Sequence, residues 1–196
     1  MKKLIYLFLF VSFTSFSQDY NDSGIEKAKN GDYYGAIADF TKAIEIDPNL
    51  FSAYYNRAIV KDDLKDYYGA IADYTKAIEI NPNDANAYYN RGNSKKELKD
   101  YYGAIADYTK AIEINPNDAF AYFNRGNSKK KLKDYYGAIA DFTKATEIDA
   151  NNDYAYFIRG ISKENLGDLS GACADWVKAA NLGNTDAAEW VKNQCN

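Results

Sequence analysis

The stretch DYYGAIAD at residues 32–39 decides the fold, because the chain repeats it. The same eight residues begin again at Asp66, Asp100 and Asp134, and an altered copy, DLSGACAD, occupies residues 168–175. Each copy begins 34 residues after the one before it. A fixed period of this length is typical of proteins that stack one small structural module. We therefore predict a repeat array.

The 34-residue period divides most of the chain into five repeats. They are residues 17–50, 51–84, 85–118, 119–152 and 153–186. Within the third repeat, apolar and small residues recur three and four positions apart, as they do on one face of a helix. The first such stretch contains Ala87, Gly92 and Leu98, and the second contains Ala104, Ile105, Tyr108, Ala111 and Ile112. Pro116 then ends the second helix, and Asn117 or Asp118 is suited to cap the next one. Each repeat is predicted to be helix, turn, helix.

These residues resemble the tetratricopeptide repeat (TPR). The third repeat has the family's residues at the family's spacing, namely Tyr88, Gly92, Ala104, Tyr108 and Pro116. The resemblance covers residues 17–186 and implies an all-α fold, a right-handed superhelical array of helix-turn-helix repeats (an α–α superhelix). It also implies that the first helix of each repeat lines a concave groove, and that this groove contacts a segment of another protein.

Charged residues replace apolar ones at two positions of the family pattern. At the first, the chain has Arg57, Arg91, Arg125 and Arg159, and an aspartate follows each sixteen residues later, at Asp73, Asp107, Asp141 and Asp175. We predict Arg–Asp pairs, the alternative being separate solvated charges. At the second, Lys27, Lys61, Lys95, Lys129 and Lys163 stand where the family usually has a packed tyrosine. We predict that Tyr68, Tyr102 and Tyr136 fill that volume, with the lysine stems lying over them.

The N-terminus has the layout of a secretory signal peptide. Lys2 and Lys3 precede the apolar run Leu4 to Phe13, and small residues lie before Gln18. The alternative is a membrane anchor, but a run of ten residues is short of the ~20 needed to cross a bilayer. We predict a signal peptide at 1–17 and an exported, periplasmic or secreted protein that is not stably inserted in a membrane after cleavage.

The C-terminus is predicted to close the array. Residues 187–196 are interpreted as a capping helix, with Trp190 covering the end of the core. Cys173 and Cys195 lie equally far before and after Asn184, so antiparallel helices place them side by side. Export to an oxidising compartment favours a disulfide between them. The alternatives are two small buried thiols or a frayed Cys195.

Composition argues against several classes of function. The 196 residues include no His, two Cys and 28 acidic against 24 basic side chains, a net charge of −4. Without His there are no Ser-His or Cys-His dyads, and a negative chain does not attract phosphate backbones. The acidic residues recur with the repeat, as residues that support a fold do. We therefore expect no enzyme activity, no cofactor, no metal site and no nucleic-acid partner.

The TPR resemblance places a candidate peptide-binding surface on the first helices. An aromatic stripe runs through Tyr55, Tyr89, Phe123 and Phe157. Asparagines accompany it at Asn56, Asn90 and Asn124, with Asn93 and Asn127 one turn onward. Asparagine both donates and accepts, so a row of them can hold a peptide backbone, while the rings supply apolar area. The alternative is an unspecialised surface in which the rings pack on their neighbours.

Charge along the edge of this surface changes from repeat to repeat. Asp62 and Asp63 lie in the second repeat, Lys96 and Glu97 in the third, and Lys130 and Lys131 in the fourth. A segment of uneven charge can be oriented by such a gradient, although charged helix ends are often simply solvated. The clamp with which some family members hold a terminal carboxylate is not matched, because Tyr55 and Tyr89 stand at its lysine position.

Three classes of function remain. The first is a non-catalytic scaffold that binds a peptide or protein segment in the groove, in the cell envelope or outside the cell. The second is a self-associating assembly factor, which would be a homo-oligomer. The third is a saccharide-binding surface that uses the aromatic stripe.

Overall fold

The computed structural model describes residues 2–195, with side chains from 16 to 195. This part of the chain consists of α-helices joined by short turns and contains no strand. The helices are α1 Lys2–Lys29, α2 Tyr33–Ile46, α3 Phe51–Asp63, α4 Tyr67–Ile80, α5 Ala85–Glu97, α6 Tyr101–Ile114, α7 Ala119–Lys131, α8 Tyr135–Ile148, α9 Asp153–Glu164, α10 Leu169–Asn181 and α11 Thr185–Gln194. The predicted all-α fold of helix-turn-helix repeats is confirmed.

The described chain divides into two compact units. The N-terminal unit ends at Leu98 and contains α1 to α5, and the C-terminal unit begins at Lys99 and contains α6 to α11. Consecutive helices pack against each other within each unit.

The repeated octet starts the second helix of each repeat. In the first copy, the carboxylate of Asp32 accepts a hydrogen bond from the Gly35 backbone N–H at 2.9 Å, which satisfies a free donor at the helix N-terminus. A Cβ at Gly35 would collide with that carboxylate. The same bond recurs at Asp66, Asp100 and Asp134. The Asp-x-x-Gly part of the octet is therefore a cap in which only glycine leaves room for the aspartate.

Small residues allow the helices to pack closely. Ala70, Ala104 and Ala138, at equivalent positions of three second helices, are fully buried. A Cβ at Gly126 would lie 2.9 Å from Cε1 of Phe142, so this first helix approaches the second too closely for a side chain. One large aromatic ring per repeat fills the remaining volume. These rings are Phe40, Tyr74, Tyr108, Phe142 and Trp176.

Helix α11 covers the last repeat. It begins at Thr185, two residues before the predicted start, and Asn184 caps it by accepting a hydrogen bond from the Ala187 N–H. Trp190 packs on the apolar cluster of the fifth repeat, 4.8 Å from Trp176 between ring centroids.

The predicted signal peptide falls partly outside the described residues, because Met1 is not described. Residues 2–17 are helical and continue into the rest of α1. No described helix combines the length and the apolar character that crossing a bilayer requires. Cleavage before Gln18 stays a prediction.

Candidate functional site

A bidentate ion pair joins the two helices of a repeat. In the second repeat, Nε and Nη2 of Arg57 donate to the two carboxylate oxygens of Asp73 at 2.8 and 2.7 Å. Equivalent pairs form between Arg125 and Asp141 and between Arg159 and Asp175. The prediction of Arg–Asp pairs is confirmed for these three. Because the aspartates are buried, each pair stabilises one arrangement of its two helices.

The lysines are the second cation of these aspartates. Lys61 contacts Asp73 at 2.7 Å, and the lysines at 129 and 163 contact Asp141 and Asp175 in the same way. The predicted packing of lysine stems over Tyr68, Tyr102 and Tyr136 is wrong. Those rings are 75–78% exposed, because each lies in the outward-facing first turn of a second helix. We call each Arg–Asp–Lys group a charge triad.

The first repeat carries a reduced version of the triad. Ser23 takes the place of the arginine, and its hydroxyl donates to Asp39 at 2.7 Å beside Lys27. Burial alone would raise the pKa of Asp39, but the hydrogen bonds from Lys27 and Ser23 outweigh it and hold this pKa below its ordinary value.

Two further partners of the arginines were not predicted. Nη1 of Arg57 donates to the Thr41 hydroxyl of the preceding repeat at 2.8 Å, and the Arg57 guanidinium lies over the Tyr54 ring at 5.7 Å. Arg91, Arg125 and Arg159 bind Thr75, Thr109 and Thr143 in the same way. Threonine recurs at this position every 34 residues, and that periodicity was the available signal.

The aromatic stripe is partly internal. Tyr55 is half-buried, its ring lies 5.6 Å from Phe51 and 5.8 Å from Tyr74, and its hydroxyl accepts a hydrogen bond from Nδ2 of Asn90 at 2.9 Å. Phe123 is also half-buried and contacts Phe142 and Tyr154 at 5.5 and 5.7 Å. One edge of each ring supports the fold, and the rest is open to a ligand.

Phe157 is not available as predicted. It is 7% exposed, and the Trp190 ring packs edge-on against it at 5.6 Å. The cause is α11, which lies over the stripe position of the last repeat. Phe157 belongs to the core and is removed from the candidate surface.

The asparagines connect neighbouring repeats. Nδ2 of Asn56 donates to Oδ1 of Asn21 at 3.2 Å. One repeat later, Nδ2 of Asn90 donates to the Tyr55 hydroxyl, and Tyr55 is the equivalent of Asn21. Each bond spans 35 residues. Tyr89, Asn93 and Asn124 are half-buried, and each takes part in an interaction. Asn127 is half-buried on α7. Two members of the predicted asparagine row, Asn56 and Asn90, therefore serve the alignment of repeats.

Two exposed rings on the same helices were not predicted. Phe120 on α7 is 64% exposed and Tyr154 on α9 is 49% exposed. Phe120 lies three residues before Phe123 and thus on the same side of α7. We call Phe120, Phe123 and Tyr154 the aromatic surface. Neighbouring exposed rings of this kind are typical of contact sites for other molecules.

Asp62 is one of two acidic residues at the C-terminal end of α3, in the second repeat. Its carboxylate accepts hydrogen bonds from the Tyr74 hydroxyl at 3.0 Å and from the Ser94 hydroxyl at 2.8 Å. Burial raises the pKa of Asp62, and the nearby charges of Asp63 and Glu97 add to this rise against the two hydrogen bonds.

The variant Asp62→Asn is expected to be more stable than wild type at pH 7, with a rise in Tm of a few degrees. A raised pKa means that ionisation of Asp62 destabilises the folded chain above the ordinary carboxyl pKa of 3.8. The gain should therefore vanish when the pH falls below that value. Thermal melts between pH 3 and pH 7 measure it, and the exposed neighbour variant Asp63→Asn is the control. A lower Tm for Asp62→Asn at pH 7 would contradict the interpretation.

The two cysteines form a disulfide between α10 and the end of α11. Cys173 and Cys195 have Cα atoms 5.6 Å apart and are separated by 22 residues in sequence. No cluster of three or more potential metal ligands occurs in the described part of the chain.

Comparison with known proteins agrees with the geometry. The family profile described as tetratricopeptide repeat matches residues 51–84, 85–118 and 119–152, and a second one, described as TPR repeat, matches 25–61. A comparison with curated protein sequences finds no match.

Solved structures of TPR proteins resemble the chain over most of its length. A crystal structure of MamA is similar with a TM-score of 0.83 and 25% identity, over 88% of this chain and 94% of that one. The fragment of MamA from Desulfovibrio magneticus RS-1 that starts at residue 41 gives 0.80 and 20%, over 85% and 94%. YrrB, described as a TPR protein with an unusual peptide-binding site, gives 0.80 and 22%, over 89% and 90%. With three repeats matched by its profile and with the helix pairs that the profile implies, the chain belongs to the tetratricopeptide repeat family.

Proposed function

We propose that this chain is a non-catalytic scaffold that binds a segment of another protein along its first helices. The observation that carries the proposal is the aromatic surface, where Phe120 and Tyr154 are exposed beside the half-buried Phe123. A monomer gains nothing from leaving such rings in water, whereas a bound segment would bury them. YrrB, a protein of the same fold, has a peptide-binding site by its description, which supports a peptide as the ligand.

The predicted peptide contacts remain part of this proposal, with one exception. Phe157 is excluded by its burial. Within each of the two units, the half-buried stripe and asparagine residues would contact a bound segment through the atoms that make no contact within the fold. They are Tyr55, Asn56, Tyr89, Asn90, Asn93, Phe123, Asn124 and Asn127.

A random dodecapeptide display library tests this proposal on the purified protein. We expect retention of a family of related peptides, and we expect the double variant Phe120→Ala/Tyr154→Ala to bind a synthetic consensus peptide at least about tenfold more weakly. The matched control is Tyr102→Ala/Tyr136→Ala, which removes two rings that are even more exposed than Phe120 and Tyr154 but lie on second helices. Failure to retain any peptide, or equal losses in the two double variants, would overturn the proposal.

We further propose that the protein is exported and that residues 1–17 are removed. Support comes from the apolar run Leu4 to Phe13 and from the disulfide, which suits an oxidising compartment. Expression with the natural N-terminus, followed by intact-mass measurement of the periplasmic and medium fractions, tests this. A chain that starts at Gln18 is expected, and an uncleaved cytoplasmic chain would contradict it.

A further inference from the structure

The edge position of the candidate surface differs in charge between the second and fourth repeats. Asp62 in the second repeat corresponds to Lys130 in the fourth. One of the two hydrogen-bond partners of Asp62 changes with it, and the other is again a serine. Phe142, which has no hydroxyl, replaces Tyr74, and the hydroxyl of Ser162, the counterpart of Ser94, donates to the backbone carbonyl of Ile158 at 2.9 Å. Asp62 thus accepts hydrogen bonds from Tyr74 of the second repeat and Ser94 of the third, whereas Phe142 and Ser162 form no such bond with Lys130.

Lys130 is a half-buried cation without an ion-pair partner among residues 16–195. Its neighbour Lys129 contacts Asp141 at 2.8 Å, so the nearby buried carboxylate is already used. Glu164, the residue one repeat after Lys130, forms no ion pair with it within the same residues. Burial lowers the pKa of Lys130, and the adjacent charge of Lys131 lowers it further. An ammonium group in this setting gains free energy when an anion arrives.

The residues along α7 next to Lys130 favour a peptide ligand over a free ion. Phe120, Phe123, Asn127 and Lys130 follow one another at spacings of three, four and three, so they share one side of the helix. The side chain of Asn127 makes no hydrogen bond to any described residue. Along this side, apolar rings are followed by an amide and then by an ammonium group. A matching ligand has an apolar residue and a carboxylate at a fixed separation.

We propose that Lys130, with Asn127 beside it, binds the side-chain carboxylate of an Asp or Glu in a peptide whose apolar residue lies on the aromatic surface. The proposal rests on the proposed function, because the same peptide occupies both places. Lys130 donates to the carboxylate as a charge-assisted hydrogen bond, and the Asn127 amide donates a second one. The ligand class is thus an acidic–apolar segment of a protein.

The dodecapeptide library also tests this inference. Peptides retained by the wild-type protein are expected to carry Asp or Glu at one fixed distance from an apolar residue. For a synthetic consensus peptide, Lys130→Gln should weaken binding about tenfold or more, and so should Glu→Gln in the peptide. The two changes together should cost little more than either alone, which identifies the pair as direct partners.

Two variants control for folding and for net charge. Lys130→Asp/Phe142→Tyr introduces the residue pair Asp62 and Tyr74 of the second repeat, whose hydroxyl donates to the carboxylate, so it should fold and lose the preference for acidic peptides. Lys144→Gln removes an equally charged but exposed lysine from α8 and should bind as wild type does. Retained peptides without an acidic position, or an unchanged affinity of Lys130→Gln, would overturn this inference and leave the proposed function standing. If no peptide is retained, both proposals fall.

Discussion

The variant Asp141→Ala is expected to lower the free energy of unfolding by about 3–5 kcal/mol. Among the described residues, Asp141 is the only ion-pair partner of Arg125 and of Lys129, and its side chain is 4% exposed. Alanine would leave a largely buried guanidinium and an ammonium group without their counter-ion. Urea unfolding followed by circular dichroism measures the loss, and a parallel shift of the midpoint at constant slope would show that the native state is the one affected.

The exposed ion pair on the same helix pair provides the control. Lys144 and Glu147 contact each other at 2.6 Å, but both are more than half exposed, so Glu147→Ala should cost less than about 0.5 kcal/mol. Asp141→Asn should fall between the two, since the amide oxygen still accepts one hydrogen bond. A cost below about 1 kcal/mol for Asp141→Ala would show that the cations of the triad reach water, and would contradict the structural role.

Removing the disulfide with Cys173→Ser/Cys195→Ser is expected to cost about 3 kcal/mol, because the unfolded chain regains the freedom of a loop of about 20 residues. Unfolding of the double variant should begin at α11, which the disulfide links to α10 in the wild-type protein. The chain has two tryptophans, and both lie at this contact, with ring centroids 4.8 Å apart. Tryptophan fluorescence should therefore shift to the red before the far-ultraviolet circular dichroism signal is lost.

A reductant separates the effect of losing the disulfide from the effect of the serine substitutions themselves. Dithiothreitol should lower the midpoint of the wild-type protein towards that of the double variant and leave the double variant unchanged. If the reduced and oxidised wild-type proteins unfold at the same midpoint, the disulfide contributes nothing to stability and the expectation is wrong.

The period of 34 predicted the helix pairs and the Arg–Asp pairs, because a contact between equivalent residues recurs wherever those residues recur. The role of the lysines was wrong for a related reason. Pairing each aspartate with one arginine left no partner for Lys61, although a carboxylate has two oxygens and accepts several hydrogen bonds. Tyr68 lies in the first turn of α4 and is 76% exposed, whereas the 34-residue period alone does not specify which side of that turn faces the core.

The candidate surface was only partly predictable, because it depends on where the repeats differ. Phe157 aligns with the other residues of the aromatic stripe, but the helix after the last repeat covers it. Phe120 and Tyr154 escaped prediction because the equivalent residues of the second and third repeats are Ser52 and Asn86. A search for the period finds the helix pairs, and departures from the period find the residues that we propose as ligand contacts.

The asparagine contacts between neighbouring repeats limit how such a chain can be rearranged. Asn56 and Asn90 each donate to a polar residue of the preceding repeat, whereas Ile158 shares an apolar cluster with Phe123. A fifth repeat transplanted directly behind the second would set Ile158 against the Tyr55 hydroxyl and leave it without its donor. Gene duplication can multiply these repeats. Reordering them succeeds only if the donor residue and its acceptor in the preceding repeat are moved together, so these contacts between repeats restrict the order of the repeats.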